Sequence, residues 1–324
     1  MPDHGFHPVP VSRVVAETAE ASSFVLDVPA GFSYSAGQFV TVRVEIDGEP
    51  HLRCYSMASA PGVDPTFFVT VKRVPGGLVS NWLLDHVVDG STLDVTPPAG
   101  VFCLSASSAR PLVLFAAGSG ITPVFSLLKA AGSDRPARLL YANRDTGSTI
   151  FRAELDGFDV VHHLDVDAGF VTADVVRSFL GDDVDIEAYV CGPGPFMDVV
   201  EAALLSAGVP SERIHIERFT PGGPVPPVVD AGPSSVTITI GAKKATADHH
   251  PGSTILQMAR QLGLGPPYSC ESGSCATCMA RLVAGECTMI TNDALTDDEV
   301  EEGWILTCQA VPSSPAVHVV YEGA

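Results

Sequence analysis

Positive charge is scarce in this sequence. Only 18 residues are lysine or arginine, whereas 38 are aspartate or glutamate, so the formal net charge is −20 at pH 7. Nucleic acids and anionic membranes are bound by clustered cations that neutralise phosphate, and we therefore expect neither as a partner. The acidic excess is compatible with steering toward a basic partner and equally with simple solubility.

A long apolar segment is also missing. No stretch approaches the roughly 20 apolar residues that a membrane-spanning helix needs, and the longest run, residues 111–117, has the length of a buried strand. The N-terminal sequence MPDHGFHPVPVSRV contains no basic segment followed by an apolar one, which a secretory signal would have. We expect a cytoplasmic protein without a membrane anchor.

Four of the eight cysteines have a distinctive spacing. Cys270, Cys275 and Cys278 form the pattern C-x4-C-x2-C, and Cys308 follows them, which is the spacing of plant-type [2Fe–2S] sites. Structural zinc sites usually pair C-x2-C with a second close pair, which the chain lacks. The spacing therefore favours a [2Fe–2S] cluster over zinc and over unrelated buried thiols.

The other four cysteines do not suggest a disulfide framework. They are Cys54, Cys103, Cys191 and Cys287. Unpaired thiols of this kind fit a reducing compartment, and three of them need be no more than small buried side chains.

The chain is long enough for two or three domains. Residues 8–105 alternate apolar and polar side chains between turn signals, as in 24–28, 37–44 and 66–72, which predicts an antiparallel β-barrel or sandwich. Residues 106–219 instead alternate buried strands with helical stretches, which predicts a parallel, doubly wound α/β domain. Residues 8–105 and residues 106–219 are therefore predicted to belong to different fold classes.

A third domain is predicted at the C-terminal end. Residues 220–233 include the segment TPGGPVPP, which cannot continue a helix or the interior of a sheet and is typical of a semi-rigid linker. Beyond it, residues 234–324 combine a strand pattern at 236–240, helical spacing at 254–262 and the cysteine-rich loop. This part is predicted to be a small α+β domain that carries the cluster.

Two segments of the first domain have the chemistry of a flavin site. The sequence Arg53-Cys54-Tyr55-Ser56 offers a permanent cation for phosphate, an aromatic face and a hydroxyl donor. Residues 76–80, GGLVS, open a helix-like segment whose free N–H groups could bind a pyrophosphate. A surface turn with a serine cap is the alternative for 76–80.

The α/β domain has two glycine-rich turns after predicted strands. Residues 117–123, AGSGITP, follow the strand 112–116, and residues 191–195, CGPGP, follow a later strand. Glycine lets the backbone approach a phosphate closely, and ligands of such sheets bind at the carboxyl ends of the strands. Both turns are thus candidates for nucleotide binding.

In this order, these motifs resemble those of the ferredoxin–NADP reductase superfamily, here followed by a plant-type ferredoxin. The chain is similar to reductase components of multicomponent oxygenases, particularly those of the 3-ketosteroid 9α-hydroxylase type. The resemblance implies a flavin-binding β-barrel, an NAD-binding α/β domain and a β-grasp ferredoxin domain. It also implies that NADH, or NADPH as the alternative, reduces FAD, which passes single electrons through the cluster to a terminal oxygenase.

The same resemblance implies roles for individual residues. Arg53 would contact the flavin phosphate, Tyr55 its ring or ribityl chain and Ser56 its reactive N5 region. Residues implied to bind the flavin or nucleotide pyrophosphates are Gly77, Val79, Ser80, Gly118, Gly120, Thr122 and Pro123. Cys191 and Gly192 would lie at the nicotinamide, where hydride leaves, so that Ser56 and Cys191 are the candidate catalytic residues.

Two details bear on specificity. Arg144 could pair with a 2′-phosphate, but Asp145 would repel one, which favours NADH. Glu271 and Ala276 depart from the basic residue and the glycine that many relatives have in the cluster loop, which leaves the receiving partner open. The alternative acceptors are a phenylacetyl-CoA epoxidase or an aromatic-ring oxygenase, and the non-enzymatic alternative is a redox-sensing ferredoxin-like module.

Overall fold

The structure is a computed structural model, and it describes most of the chain. The described residues are 6–29, 31–105, 108–132, 135–219, 234–250, 252–268, 271, 273, 276–292 and 294–322. The predicted linker at 220–233 and two of the predicted cluster ligands, Cys270 and Cys275, lie outside them. The chain divides into two compact units, one formed by His7–His51 with Tyr55–Phe219 and the other by Leu52–Cys54 with the chain's N-terminal end and the C-terminal region.

The first domain of the larger unit is a six-stranded sheet. Its elements are β1 (His7–Thr18), β2 (Ala21–Leu26), β3 (Phe39–Ile46), β4 (Glu49–Ser56), β5 (Phe67–Lys72), α1 (Leu78–His86) and β6 (Thr92–Val95). The strand order is β4-β3-β6-β1-β2-β5. Just beyond β4, Met57 pairs with Val69 of β5, which joins the two ends of the sheet. The predicted antiparallel barrel is thereby confirmed.

Residue alternation explains why these segments are strands. In β3, Val42 and Val44 are buried, whereas Arg43 and Glu45 between them are exposed. Successive side chains of a strand point to opposite faces, so one face of β3 packs into the barrel interior.

The second domain of this unit is a parallel sheet with helices on both faces. Its elements are β7 (Leu112–Ala117), α2 (Ile121–Ala131), β8 (Ala137–Asn143), β9 (Asp159–Leu164), α3 (Asp165–Ala168), α4 (Ala173–Leu180), β10 (Glu187–Cys191), α5 (Gly194–Ala207) and β11 (Ile214–Glu217). The strand order is β11-β10-β7-β8-β9, and all the pairings are parallel. In β7, Leu114 faces the core beneath α2, whereas Phe115 faces the core beneath α4 and α5. The doubly wound prediction is confirmed.

The barrel and the parallel sheet are held together by buried polar contacts. The Ser126 hydroxyl of α2 donates to the Ser59 carbonyl at 2.6 Å. The Lys129 ammonium on the same helix pairs with the Asp64 carboxylate at 2.5 Å. Because α2 also begins at the glycine-rich turn, these contacts fix that turn relative to the barrel.

The C-terminal unit contains a mixed sheet with a helix packed on it. Its elements are β12 (Ser235–Ile240), β13 (Lys243–Asp248), α6 (Ile255–Gln261), β14 (Met279–Ala284), β15 (Cys287–Met289), α7 (Asp297–Glu301), β16 (Trp304–Leu306), β17 (Ala310–Pro312) and β18 (Ala316–Tyr321). The main sheet has the order β13-β12-β18-β14-β16, with β12 and β18 parallel. Ile255 and Met258 of α6 join the core of this sheet, as the predicted β-grasp fold requires.

Candidate functional site

The glycine-rich turn after β7 is a short 3-10 helix, Gly118–Gly120, that leads directly into α2. Gly118 has φ +53°, a conformation that side chains with a Cβ rarely adopt. The Tyr141 hydroxyl of β8 donates to the Gly118 carbonyl at 3.1 Å, and the Thr122 hydroxyl donates to the Ser119 carbonyl at 3.1 Å. The turn is therefore held from both sides.

The second glycine of this turn lies against the end of β10. A Cβ placed on Gly120 would be 2.1 Å from the Cys191 carbonyl oxygen, and one on Gly192 would be 2.9 Å from the Cβ of Ala117. Neither approach tolerates a larger residue, because both partners are backbone or the first atom of a side chain. The two predicted nucleotide turns are thus packed on each other at the carboxyl edge of the sheet, where phosphates can approach bare backbone.

Cys191 ends β10 and is fully buried. Burial raises the pKa of its thiol well above the ordinary value, and the Glu217 carboxylate adds to the shift. The side chain is therefore neutral at physiological pH. A neutral, polarizable thiol can pack against an aromatic ring without acting as a base.

The predicted pyrophosphate segment of the barrel domain begins α1. Gly77 is the residue before the helix, and its close neighbours leave no room for a Cβ, which would be 2.9 Å from the Cβ of Val74. The Val79 side chain is buried, so only its backbone N–H can face a ligand. The Ser80 hydroxyl accepts the Val74 N–H at 3.3 Å and lies 3.5 Å from the Gly77 carbonyl, so that it also shapes the turn.

The residues predicted to hold the flavin lie at the end of β4. Arg53 is exposed and its Nη1 donates to the neighbouring Leu52 carbonyl at 2.7 Å. Tyr55 is half-buried and packs on the barrel core, whereas Ser56 is buried. Taken singly, the Arg53 guanidinium suits the charged phosphate of a flavin, and the Tyr55 ring and Ser56 hydroxyl suit its aromatic, hydrogen-bonding ring system.

A cleft of about 400 Å³ lies within the larger unit, and Arg144 is the charged lining residue to which the sequence analysis gave a role. Its charged lining residues are Glu20, Lys72, Arg73 and Arg144. A Cβ on Gly118 would be 3.4 Å from the Lys72 ammonium, which therefore stands beside the glycine turn. The available signal for Lys72 was its position at the end of a predicted strand, shortly before Gly76 and Gly77. Nothing in the local sequence pointed to Glu20.

Arg144 follows β8 and is engaged by carboxylates. Its Nε donates to Asp145 at 2.8 Å, and its Nη1 lies 4.0 Å from Glu20. These two carboxylates raise the pKa of Arg144, while Arg144 lowers the pKa of Asp145. Asp145 also caps the following turn by accepting the Ser148 N–H at 2.9 Å.

Two of the four predicted cluster ligands are described, and the fold brings them together. Cys278 and Cys308 are both buried and belong to the same core cluster. They are far apart in sequence, since Thr307, the residue before Cys308, lies 29 positions after Cys278. The Thr307 hydroxyl donates to the Cys278 carbonyl at 2.7 Å. Both thiols raise the pKa of the buried Tyr321, whose desolvation is the larger cause. The pair of thiols fits the cluster that the spacing predicts.

The described parts of the cysteine loop have unusual backbone angles. Glu271 and Ala276 both have φ +53°, and Gly273 has φ +87°. A Cβ on Gly273 would be 3.0 Å from the Thr291 carbonyl oxygen. The Gln309 side chain donates to the Glu271 carbonyl at 2.8 Å and lies 3.8 Å from the Cys308 sulfur. Glu271 and Gly273 are therefore held against Gln309 and Thr291, respectively.

The structure thus groups the predicted residues into three sets: the end of β4, the two glycine turns with the start of α1, and the cysteine pair. The roles predicted for them in binding remain predictions. Within the described residues, no helix is long and apolar enough to cross a membrane.

Three family descriptions match successive parts of the chain. "Oxidoreductase FAD-binding domain" matches residues 8–103, "Oxidoreductase NAD-binding domain" matches 114–202, and "2Fe-2S iron-sulfur cluster binding domain" matches 238–313. Each match falls on one of the three folds described above. The predicted cofactors, FAD, NADH and a [2Fe–2S] cluster, are therefore confirmed.

Similar proteins include two curated relatives. The 3-ketosteroid-9-alpha-monooxygenase ferredoxin reductase component of Rhodococcus rhodochrous is 40% identical over 329 residues, which is 93% of either chain. A component of the 1,2-phenylacetyl-CoA epoxidase of Escherichia coli K12 is 31% identical, with 98% of each chain covered. Both similarities extend through all three domains.

A solved structure shares the whole architecture. Phthalate dioxygenase reductase, described as a modular structure for electron transfer from pyridine nucleotides to [2Fe–2S], superposes with a TM-score of 0.64. Its sequence is 27% identical, and the match covers 98% of this chain and 99% of that one. The chain belongs to the ferredoxin–NADP reductase superfamily, among the NAD(P)H-dependent flavin and iron–sulfur oxidoreductases that serve as reductase components of oxygenases.

Proposed function

We propose that this protein is the reductase component of a multicomponent oxygenase of the 3-ketosteroid 9α-hydroxylase type, and that it draws its electrons from NADH. The observation that carries the proposal is that a flavin barrel, a nucleotide sheet and a cluster domain occur in one chain whose length matches that of a relative with this role. Oxidation of the organic substrate then belongs to the separate oxygenase.

In this proposal the barrel holds FAD. Arg53 binds a flavin phosphate, Tyr55 packs on the ring or the ribityl chain, and Ser56 lies near the reactive N5. The start of α1 binds the pyrophosphate through Gly77, Val79 and Ser80, where unpaired helix N–H groups favour an anion. Val79 acts through its backbone, since its side chain is buried in the barrel.

The parallel sheet holds NADH at its carboxyl edge. The pyrophosphate is bound by Gly118, Gly120, Thr122 and Pro123, with the Lys72 ammonium beside the same turn. Cys191 and Gly192 position the nicotinamide, and the neutral Cys191 thiol does not act as a base there. When bound, the flavin would accept the hydride of NADH as two electrons and a proton, and the cluster would carry the electrons onward one at a time.

Cluster ligation is assigned to four thiolates: Cys270, Cys275, Cys278 and Cys308. The Gln309 amide near the Cys308 sulfur is placed to stabilise thiolate charge. A cytoplasmic location and a terminal oxygenase as partner complete the proposal. The steroid class of the oxygenase rests on the relative of that type.

An anaerobic titration with NADH tests the redox chain. The purified holoprotein is followed by visible absorption and electron paramagnetic resonance, and both the flavin and the cluster should be reduced. Arg53→Ala should lose flavin and the reduction of cytochrome c together, while the cluster signal remains after chemical reduction. Arg13→Ala, an exposed arginine on β1, is the matched control and should behave as wild type. Absence of flavin, or of bleaching by NADH, contradicts the proposal.

A coupled assay tests the partner. The reductase is combined with a 3-ketosteroid 9α-oxygenase component, and steroid hydroxylation is measured against NADH oxidation. A phenylacetyl-CoA epoxidase is the second candidate acceptor, because a component of one such enzyme is also similar to this chain. Preferential turnover with the epoxidase would replace the steroid assignment by that one. A redox-sensing module without a catalytic role would support neither reaction.

A further inference from the structure

The cleft of the larger unit is lined by Arg144 and by Lys72, whose ammonium lies beside the glycine turn. Arg144 lies two positions beyond Ala142, which pairs with Ala117 immediately before Gly118. In doubly wound domains the residue that selects between NAD and NADP stands near the end of the second strand, and it contacts the adenosine ribose. The Lys72 ammonium, which lies beside the backbone of Gly118, lines the same cleft as Arg144.

Glu20 enters this cleft from the barrel domain, at the turn between β1 and β2. Its backbone carbonyl accepts the Arg73 N–H at 2.7 Å, and its N–H donates to the Thr18 hydroxyl at 3.2 Å. Both the backbone carbonyl and the backbone N–H of Glu20 are thus hydrogen-bonded, which fixes the turn. Its carboxylate lies 4.0 Å from the Arg144 guanidinium, on a different domain.

Arg144 therefore faces two carboxylates that come from different domains. Asp145 contacts its Nε, and Glu20 lies near Nη1. The other arginine of the cleft, Arg73, is also neutralised, because Asp85 accepts from it at 2.6 Å. Among the described residues, Lys72 has no carboxylate within salt-bridge distance and is left to attract the pyrophosphate. The arginine charge available to a 2′-phosphate is thereby small.

We propose that Glu20 of the barrel domain determines nucleotide specificity, by neutralising Arg144 together with Asp145 so that the cleft accepts the 2′-hydroxyl of NADH and rejects the 2′-phosphate of NADPH. A carboxylate accepts a hydrogen bond from a ribose hydroxyl, whereas it repels a phosphate dianion. Discrimination thus depends on a residue outside the nucleotide-binding domain. The inference rests on the proposed function only in that NADH is the electron donor.

Steady-state kinetics with ferricyanide as acceptor test this role without an oxygenase. Wild type is compared with Glu20→Gln and with Glu20→Gln/Asp145→Asn, and kcat/KM is measured for both nucleotides. We expect the NADH preference to fall by roughly threefold in the single variant and roughly tenfold in the double variant, as for partly exposed charge pairs. Asparagine keeps the cap at position 145, so the double variant should still fold.

The matched control removes the same two charges at the other edge of the sheet. Asp182 and Glu212 are exposed residues that precede β10 and β11, at the amino ends of the strands. Asp182→Asn/Glu212→Gln should leave the nucleotide preference unchanged. Adding Arg144→Ala to Glu20→Gln should abolish the gain for NADPH, because the cation that Glu20 neutralises is then absent.

Binding of 2′,5′-ADP and 5′-AMP, measured by calorimetry, gives a readout besides activity. Glu20→Gln should bind 2′,5′-ADP more tightly than wild type does, with 5′-AMP unchanged. An unchanged nucleotide preference, or an equal change in the control, overturns the role of Glu20 even if NADH drives the oxygenase normally. Conversely, failure of the oxygenase assay with an altered nucleotide preference would contradict only the proposed partner.

Discussion

Gly120 and Cys191 are in direct backbone contact, although 70 positions of sequence lie between their loops: a Cβ on Gly120 would come within 2.1 Å of the Cys191 carbonyl oxygen. This contact joins the turn after β7 to the turn after β10. Both turns carry the residues that the sequence predicts for nucleotide binding. The geometry of the site therefore requires that residue 120 has no Cβ atom.

Gly120→Ala should separate the two turns and weaken NADH binding. The added methyl group meets backbone atoms, which cannot move aside as a flexible side chain would. We expect the KM for NADH to rise by roughly tenfold or more, by analogy with the loss that small misplacements of a site cause. Gly157→Ala is the control, since a Cβ at Gly157 has no neighbour within 4 Å. Equal KM values for the two variants would contradict this expectation.

Burial of Cys191 should make the stability of the protein depend on pH in the alkaline range. Its folded pKa is raised, so the neutral thiol favours the folded state fully below the unfolded pKa near 9. As the pH rises from that value toward the folded pKa, the unfolded thiol ionises first and stability is lost. Each pH unit in this window should lower the free energy of unfolding by up to about 1.4 kcal/mol.

Denaturant unfolding of wild type and Cys191→Ala at pH 7 and pH 10 measures this effect. At pH 7 the variant should be less stable, because it loses a buried sulfur. The difference in the free energy of unfolding between the two proteins should be smaller at pH 10, because wild type loses stability as its unfolded thiol ionises and the alanine variant does not. Parallel pH profiles for the two proteins would show that the thiol makes no such contribution.

Cys308→Ser should remove the cluster and leave the flavin part of the protein active. Serine is a poor substitute for a thiolate ligand, so the cluster absorption and paramagnetic signal should be lost. NADH should still reduce ferricyanide, whereas reduction of cytochrome c should fall sharply. Cys287→Ser is the control in the same domain. Burial raises the pKa of the Cys287 thiol to about 12, and the predicted ligand set does not include it.

Ala276→Gly should stabilise the cluster domain. Ala276 has φ +53°, a left-handed conformation that costs a residue with a Cβ about 1 kcal/mol. Thermal unfolding of the holoprotein should shift upward in the glycine variant. Ala245→Gly, in the strand β13, should instead be destabilising, because glycine in a strand adds flexibility and removes packing. A fall in stability for Ala276→Gly would contradict the strain at this position.

Lys129→Ala should weaken the contact between the barrel and the parallel sheet. The buried Lys129 ammonium pairs with Asp64 at 2.5 Å and lies 4.2 Å from the centre of the Phe125 ring. Without this ammonium, the Asp64 carboxylate keeps its hydrogen bond from the Ala60 N–H but loses its cation. We expect the free energy of unfolding to fall by about 3 kcal/mol. Arg177→Ala, which breaks an exposed pair with Asp174, should cost less than about 1 kcal/mol.

The double variant Lys129→Met/Asp64→Asn separates pairing from packing. Methionine fills the space of the lysine stem, and the asparagine oxygen can still accept the Ala60 N–H that Asp64 accepts at 2.6 Å. Most of the stability should return, because no buried charge remains unpaired. If the double variant instead lost as much stability as the two single variants together, the coupling energy between Lys129 and Asp64 would be small.

The sequence by itself determined much of the local structure and the cofactor set. The apolar run at 112–117 is the strand β7, and the helical spacing at 254–262 contains α6, with Thr254 as its cap. The cysteine spacing and the glycine turns indicated the cluster and the nucleotide. Such features depend on neighbours within a few residues, and periodicity, turn chemistry and ligand spacing report them directly.

Only the tertiary structure decided which distant residues meet. The pairing of Met57 with Val69 closes the barrel, and the approach of Glu20 to Arg144 links two domains. Neither contact follows from local patterns, because each depends on how whole sheets are ordered and packed. For the same reason, the sequence suggested that Arg144 and Asp145 matter for nucleotide choice, but the carboxylate from the barrel became apparent only when the fold placed it 4.0 Å from the guanidinium.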